Sequence, residues 1–137
     1  MKYKIYVVDD DKHYSRMLRY RLEKNVDYDV QVFSKGEEVL EAMSTPPDLI
    51  LLDIMMPGIG GLATLKQLKE THTAVPVVMV SAQGVIDVAV EAMQAGAYDY
   101  ITKGQDEMVK LDAVVKNVLE KVSLEREVSN LRGEVKK

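Results

Sequence analysis

The chain has 137 residues, with 18 Lys and Arg against 22 Asp and Glu for a net charge of −4, and it contains no cysteine. A chain of this length forms one domain and buries roughly 68–70% of its unfolded surface, so its core needs no covalent staple. The missing cysteines exclude disulfide scaffolds, zinc–thiolate sites and Cys nucleophiles, and the acidic balance offers no general grip on nucleic acid.

The amino terminus, Met1-Lys2-Tyr3-Lys4, has none of the apolar length of a secretory signal, and a predicted strand follows at once over Lys4–Val8. Asp9, Asp10 and Asp11 come next, and either of the last two suits the cap of a helix starting near Lys12. Tyr14, Met17, Leu18, Arg21 and Leu22 give that helix its three-four spacing. A second strand is predicted over Tyr28–Phe33. Ser34-Lys35-Gly36-Glu37 then reads as a capping box, with Ser34 as N-cap and Glu37 reaching back. Asp48–Leu52 is the third strand and ends at Asp53. Leu62, Leu65 and Leu68 mark the next helix. The fourth strand, Val75–Val80, ends at Ser81, and Ile86, Val90 and Met93 supply the stripe of the helix after it. The fifth, Tyr98–Thr102, ends at Lys103. The longest uncharged stretch, residues 71–86, is broken by Pro76 and falls short of the about 20 apolar residues that span a bilayer. A cytoplasmic protein with no membrane contact is expected.

Residues 105–137 contain no proline and a single glycine, Gly133, and read as one long helix. Leu111, Val115, Val118 and Val122 form a stripe that packs on the sheet. Leu124, Val128, Leu131 and Val135 form a second, out of phase with the first and flanked by Glu125, Arg126, Glu127 and Arg132. This second stripe fits a partner helix, making residues 123–137 a candidate coiled-coil linker and the chain a homodimer. The alternative is a solvated tail.

Near-continuous apolar strands alternating with amphipathic helices specify an α/β fold: a doubly wound, five-stranded parallel sheet over residues 1–122. Sites in such sheets form beyond the carboxyl ends of the strands. Asp9, Asp10 and Asp53 follow the first and third strands, Ser81 the fourth and Lys103 the fifth. Clustered carboxylates repel unless a cation joins them, and oxygen-only ligands suit Mg²⁺. A metal, a lysine, a hydroxyl and a strand-end aspartate suit phosphoryl transfer to the aspartate. Taken singly, each residue reads as a turn residue, a cap or a solvated lysine; their joint placement after four strands carries the functional reading.

Val7-Val8-Asp9-Asp10-Asp11, Leu51-Leu52-Asp53-Ile54-Met55-Met56-Pro57-Gly58, Val80-Ser81-Ala82 and Tyr98-Asp99-Tyr100-Ile101-Thr102-Lys103 together resemble the receiver domain of two-component response regulators, over residues 3 to about 122. The long last helix resembles the linker of the NtrC-like enhancer-binding activators. The resemblance implies flavodoxin-like strand order 2-1-3-4-5 and a phosphoacceptor signalling domain, not an enzyme, served by a sensor histidine kinase. It implies Asp53 as phosphoacceptor and Mg²⁺ bound by Asp10, Asp53 and the Met55 carbonyl, with Asp9 acting through water. It further implies Lys103 as counter-charge to the phosphoryl group and Ser81 and Tyr100 as the switch. Two residues depart from the pattern. Gly104 stands where a proline with a cis bond usually follows the lysine, implying a trans bond and a looser loop. Gly60 stands where an aspartate is common, implying extra flexibility.

Three rivals remain on sequence alone. One is a small Mg²⁺-dependent aspartyl-phosphate phosphatase using Asp9 in Asp9-x-Asp11. Another is a dinucleotide binder through Gly58-x-Gly60-x-x-Ala63, which lacks a ribose-binding acid after the next strand. The third is a receiver-like module that only dimerises.

Overall fold

The computed structural model describes residues 2–72, 74–82, 86–104 and 106–133, with side chains as far as Val128. Strands β1 (Tyr3–Val8), β2 (Tyr28–Phe33), β3 (Leu49–Leu52), β4 (Val77–Ser81) and β5 (Asp99–Thr102) form one parallel sheet in the order β2-β1-β3-β4-β5. The helices are α1 (Lys12–Leu22), α2 (Gly36–Glu41), α3 (Gly60–Thr71), α4 (Ile86–Gln94) and α5 (Glu107–Gly133). A short 3₁₀ turn, Ala42–Ser44, follows α2.

Alternation along each strand divides the core in two. Ile5, Val7, Leu49, Leu51, Val78 and Val80 pack with α1 and α5, while Tyr6, Val8, Ile50, Leu52, Val77 and Met79 pack with α2, α3 and α4. Burial on both faces is why these strands are continuously apolar. Leu111, Val115 and Val118 are buried on the first face, as their spacing predicts.

Three local expectations change. β4 starts at Val77 and not Val75, because Pro76 has no N–H for the ladder, although its carbonyl accepts from Ile50 N at 3.0 Å. The capping box is displaced by one residue. Lys35 occupies the N-cap position without a side-chain bond, and Glu38, not Glu37, accepts from both Ser34 N (2.8 Å) and Ser34 Oγ (3.0 Å). Ser34 sits one residue further out than a capping box requires, so the acid one residue further on reaches it. The stripe on α4 faces outward: Ile86 is 77% exposed, Val90 47% and Met93 46%, and Ala92 faces the core instead. Ala92 is small, so α4 sits close to the sheet and its larger apolar residues remain outside.

The turn leading into α3 uses its glycines for geometry. Gly58 has φ +77°, and a Cβ there would lie 2.5 Å from Glu37 Oε2. At Gly61 a Cβ would stand 2.0 Å from the Asp53 carbonyl oxygen, closer than the backbone can yield. Gly61→Ala is therefore expected to push the Asp53 loop off α3 and cost about 1–3 kcal/mol of stability. Urea unfolding checks this, and an unchanged midpoint refutes the steric limit.

Candidate phosphoacceptor site

Backbone bonds just past the strand ends place the site. Asp9 N donates to Phe33 O (2.9 Å), Asp53 N to Val8 O (2.9 Å) and Lys103 N to Ser81 O (2.8 Å). Each functional residue is thus the first beyond its strand or near it, with its amide tied to the neighbouring strand. β1, β3, β4 and β5 lie side by side in the sheet, and their carboxyl ends converge.

There one carboxylate oxygen from each of Asp9, Asp10 and Asp53 lies within 4.8 Å of the other two. Asp9 and Asp53 are buried and Asp10 is exposed. Asp9 has both oxygens engaged: Oδ1 accepts from Asp11 N (2.8 Å) and Oδ2 from Lys103 Nζ (2.9 Å). The same ammonium lies 4.0 Å from Asp53 Oδ2. Asp53 Oδ1 receives the Met55 amide at 3.4 Å, and the Met55 side chain is 61% exposed. Burial, and next the charge of Asp9, push the Asp53 carboxyl up to about 6, with Lys103 opposing them. Asp11, the third acid of the run, caps α1 through His13 N (3.0 Å) and Tyr14 N (3.1 Å).

Ser81 is fully buried at the end of β4, and its side chain shares a hydrogen bond with the hydroxyl of Tyr100, which packs half-buried against the α2–α4 face of the core. The two predicted switch residues are therefore in contact. Burial holds the Tyr100 hydroxyl above its ordinary range.

Two residues near the site escaped the sequence reading. The ring of Tyr14 carries the Lys103 ammonium 3.9 Å from its centroid, and its hydroxyl donates to Glu107, the first residue of α5. Glu107 also accepts from Gly104 N at 3.0 Å. Among the described residues no peptide bond is cis, as expected at Gly104, but the loop there is tied by Glu107. The only signal in the sequence was that each residue lies in the first turn of a helix following a site residue.

The family model of the response regulator receiver domain matches residues 5–116. The DNA-binding transcriptional regulator NtrC of Escherichia coli K12 is 44% identical over 106 residues, 74% of this chain and 22% of that protein. The Bacillus subtilis regulatory protein PhoP is 40% identical over 104 residues, 75% of this chain and 43% of that one. The crystal structure of NtrX from Brucella abortus superposes with a TM-score of 0.82 at 36% identity, covering 96% of this chain and 30% of NtrX. The chain thus spans about a fifth of the NtrC relatives it matches. Nothing in these comparisons supports the aspartyl-phosphatase alternative, and the occupied oxygens of Asp9 argue against a nucleophile there. With its strand order, its convergent acids and these relatives, the chain belongs to the response regulator receiver domains, the phosphorylation-activated signalling modules of two-component systems.

Proposed function

We propose that Asp53 is the phosphoacceptor. A carboxylate oxygen of Asp53 attacks the phosphorus of a phosphohistidine on a sensor kinase, the P–N bond breaks, and an acyl phosphate forms on Asp53. The observation that carries this is the Asp53 carboxyl, buried at the end of β3 with a lysine 4.0 Å away and two further acids beside it. The acids fit Mg²⁺: three carboxylates in close reach with one lysine are under-neutralised, and all the donors are hard oxygens. Asp10, Asp53, the Met55 carbonyl and, through water, Asp9 would hold the ion, which when bound neutralises phosphoryl oxygens. Lys103 supplies the second positive charge. Ser81 turns from Tyr100 toward a phosphoryl oxygen, and Tyr100 follows, altering the α4–β5 surface. The chain works in the cytoplasm and passes the change to an output domain.

The test is where the phosphoryl group resides. After acetyl phosphate and Mg²⁺ treatment, borohydride reduction and peptide mapping are expected to mark Asp53. A mark on Asp9 replaces this reading with the phosphatase.

The signal is further proposed to act through a homodimer. Leu124 is 62% exposed and Val128 45% exposed on α5; Leu131, Arg132 and Val135 lie outside the described side chains. The outward face of α4 and Tyr98, 39% exposed, add apolar area. α5 does not leave the domain freely at Val122, because Arg126 pairs with Asp48 Oδ1 (2.6 Å), donates to Lys2 O (2.9 Å) and covers the Tyr3 ring. Sedimentation of the full chain against Leu124→Asp combined with Val128→Asp tests the stripe. The substitutions are expected to dissociate the dimer, and equal behaviour refutes its use.

A further inference from the structure

Lys103 must hold its ammonium where an incoming phosphoryl group will need it, and its resting bond to Asp9 at 2.9 Å is one that it has to leave. Its amide closes the β5 ladder on Ser81 O, and the next residue is Gly104, around which a Cβ would meet nothing within 4 Å. Glycine is the residue with the widest backbone freedom, and a lysine side chain is a flexible four-carbon stem. No neighbouring atom packs where a side chain at Gly104 would stand.

What restrains the loop at Gly104 is a closed link through two helices. Gly104 N donates to Glu107 Oε1 at 3.0 Å, Glu107 Oε2 accepts from the Tyr14 hydroxyl, and the Tyr14 ring carries the Lys103 ammonium 3.9 Å from its centroid. The loop after β5, the first turn of α5 and the first turn of α1 are thereby joined. We propose that Tyr14, oriented by Glu107, is the positioning residue for Lys103, acting through its ring face. The proposal rests on the reading of Asp53 as phosphoacceptor.

The ring suits this role better than another carboxylate would. In the resting site the ammonium is bonded to Asp9 at 2.9 Å and stands 4.0 Å from Asp53. When Asp53 carries a phosphoryl group, the ammonium has to shift from Asp9 toward the new oxygens. A directional hydrogen bond would resist that shift. Attraction to a ring face tolerates it, because the face attracts a cation over a broad area. The ring also adds no negative charge to a site that already has three acids. Burial and the bond to Glu107 raise the Tyr14 hydroxyl well above its ordinary range, so it stays a donor and the ring stays in place.

The test compares Tyr14→Leu, Tyr14→Phe and Glu107→Ala in the full chain. Tyr14→Leu is expected to slow labelling by acetyl phosphate at saturating Mg²⁺ by roughly tenfold, less than the ~100-fold that a misplacement of 1 Å costs a reacting group. Its Mg²⁺ affinity is unchanged, because the Tyr14 hydroxyl donates to Glu107 and not to Asp9, Asp10 or Asp53. Tyr14→Phe keeps the ring and stays within about threefold of the parent rate, as does Glu107→Ala. The double variant Tyr14→Phe with Glu107→Ala is no slower than the worse single, because both break one link. In ¹³C–¹H spectra the Lys103 ε-methylene is shifted upfield by the ring current in the parent and in Tyr14→Phe, and loses that shift in Tyr14→Leu.

A Tyr14→Leu protein that labels at the parent rate overturns the proposal. So does a Tyr14→Phe protein as slow as Tyr14→Leu, or a Lys103 signal that does not respond to loss of the ring. If Tyr14→Leu fails to fold, the Tyr14→Phe and Glu107→Ala cycle decides, and additive losses overturn the single link. Should the parent chain take no label at all, the Asp53 reading fails, and the Lys103 spectrum still decides whether the ring holds the lysine.

Discussion

Asp53→Asn is expected to erase the acyl-phosphate label completely and, at the same time, to make the protein more stable at neutral pH. The amide keeps the shape of the carboxylate and can hold the bond from Met55 N, but it cannot attack phosphorus. The gain in stability follows from the charge. Burial and Asp9 raise the Asp53 carboxyl from 3.8 to about 6, so the folded state binds its proton more tightly than the unfolded chain does. That preference stabilises the fold fully below pH 3.8 and is lost as pH rises through about 6. At neutral pH the parent therefore carries the cost of an ionised, crowded carboxylate, which the variant lacks. After allowance for solvent screening and for Lys103, the difference is about 1–2 kcal/mol. Urea melts of both proteins at neutral pH and below the carboxylate range check this. Label persisting on the variant overturns the phosphoacceptor assignment, and equal stability at neutral pH overturns the electrostatic account.

Asp10→Asn should weaken Mg²⁺ binding by roughly 10–100-fold, the range seen when a metal site loses one supporting group. Asp10 is the exposed acid of the three, so neutralising it subtracts charge from the site at little cost to the fold. Lys103→Ala should behave in the opposite way. It removes a cation 2.9 Å from Asp9 that competes with the metal, so Mg²⁺ affinity holds or rises, while phosphorylation and the Ser81–Tyr100 response fall. A Mg²⁺ titration followed by tyrosine fluorescence or backbone NMR shifts separates the two variants. Undiminished affinity in Asp10→Asn removes that residue from the ligand set.

Strand–helix alternation, the five runs and the location of the acids were legible because they depend on local order. A strand covered on both faces must be apolar throughout, as in Leu49-Ile50-Leu51-Leu52. The residue after each such run must lie at its carboxyl edge, as Asp53 and Lys103 do. Helix periodicity was less informative. It marks an apolar face on α4 but not which side meets water, and Ala92 rather than Val90 turned out to face the core. The capping signal at Ser34 was real, but the acid that answers it is Glu38, since one residue of offset changes which side chain reaches. On α5 the first stripe packs on the sheet as its spacing predicts, whereas Arg126, a flank of the second stripe in the sequence, reaches back to Asp48.

The α/β class, the parallel sheet and the acid, hydroxyl and lysine that end its strands follow from local order in the chain, because hydrophobic period and strand-end chemistry are properties of neighbours. The packed fold alone sets that Lys103 bonds Asp9 more closely than Asp53, that Ser81 meets Tyr100, and that Tyr14 and Glu107 close a link around the lysine. Tyr14 and Glu107 are 93 positions apart, and nothing in the pattern of either segment encodes the other. Their distance is set by how α1 and α5 both pack on one face of the sheet, and such a distance exists only after the strands have ordered and the core has closed.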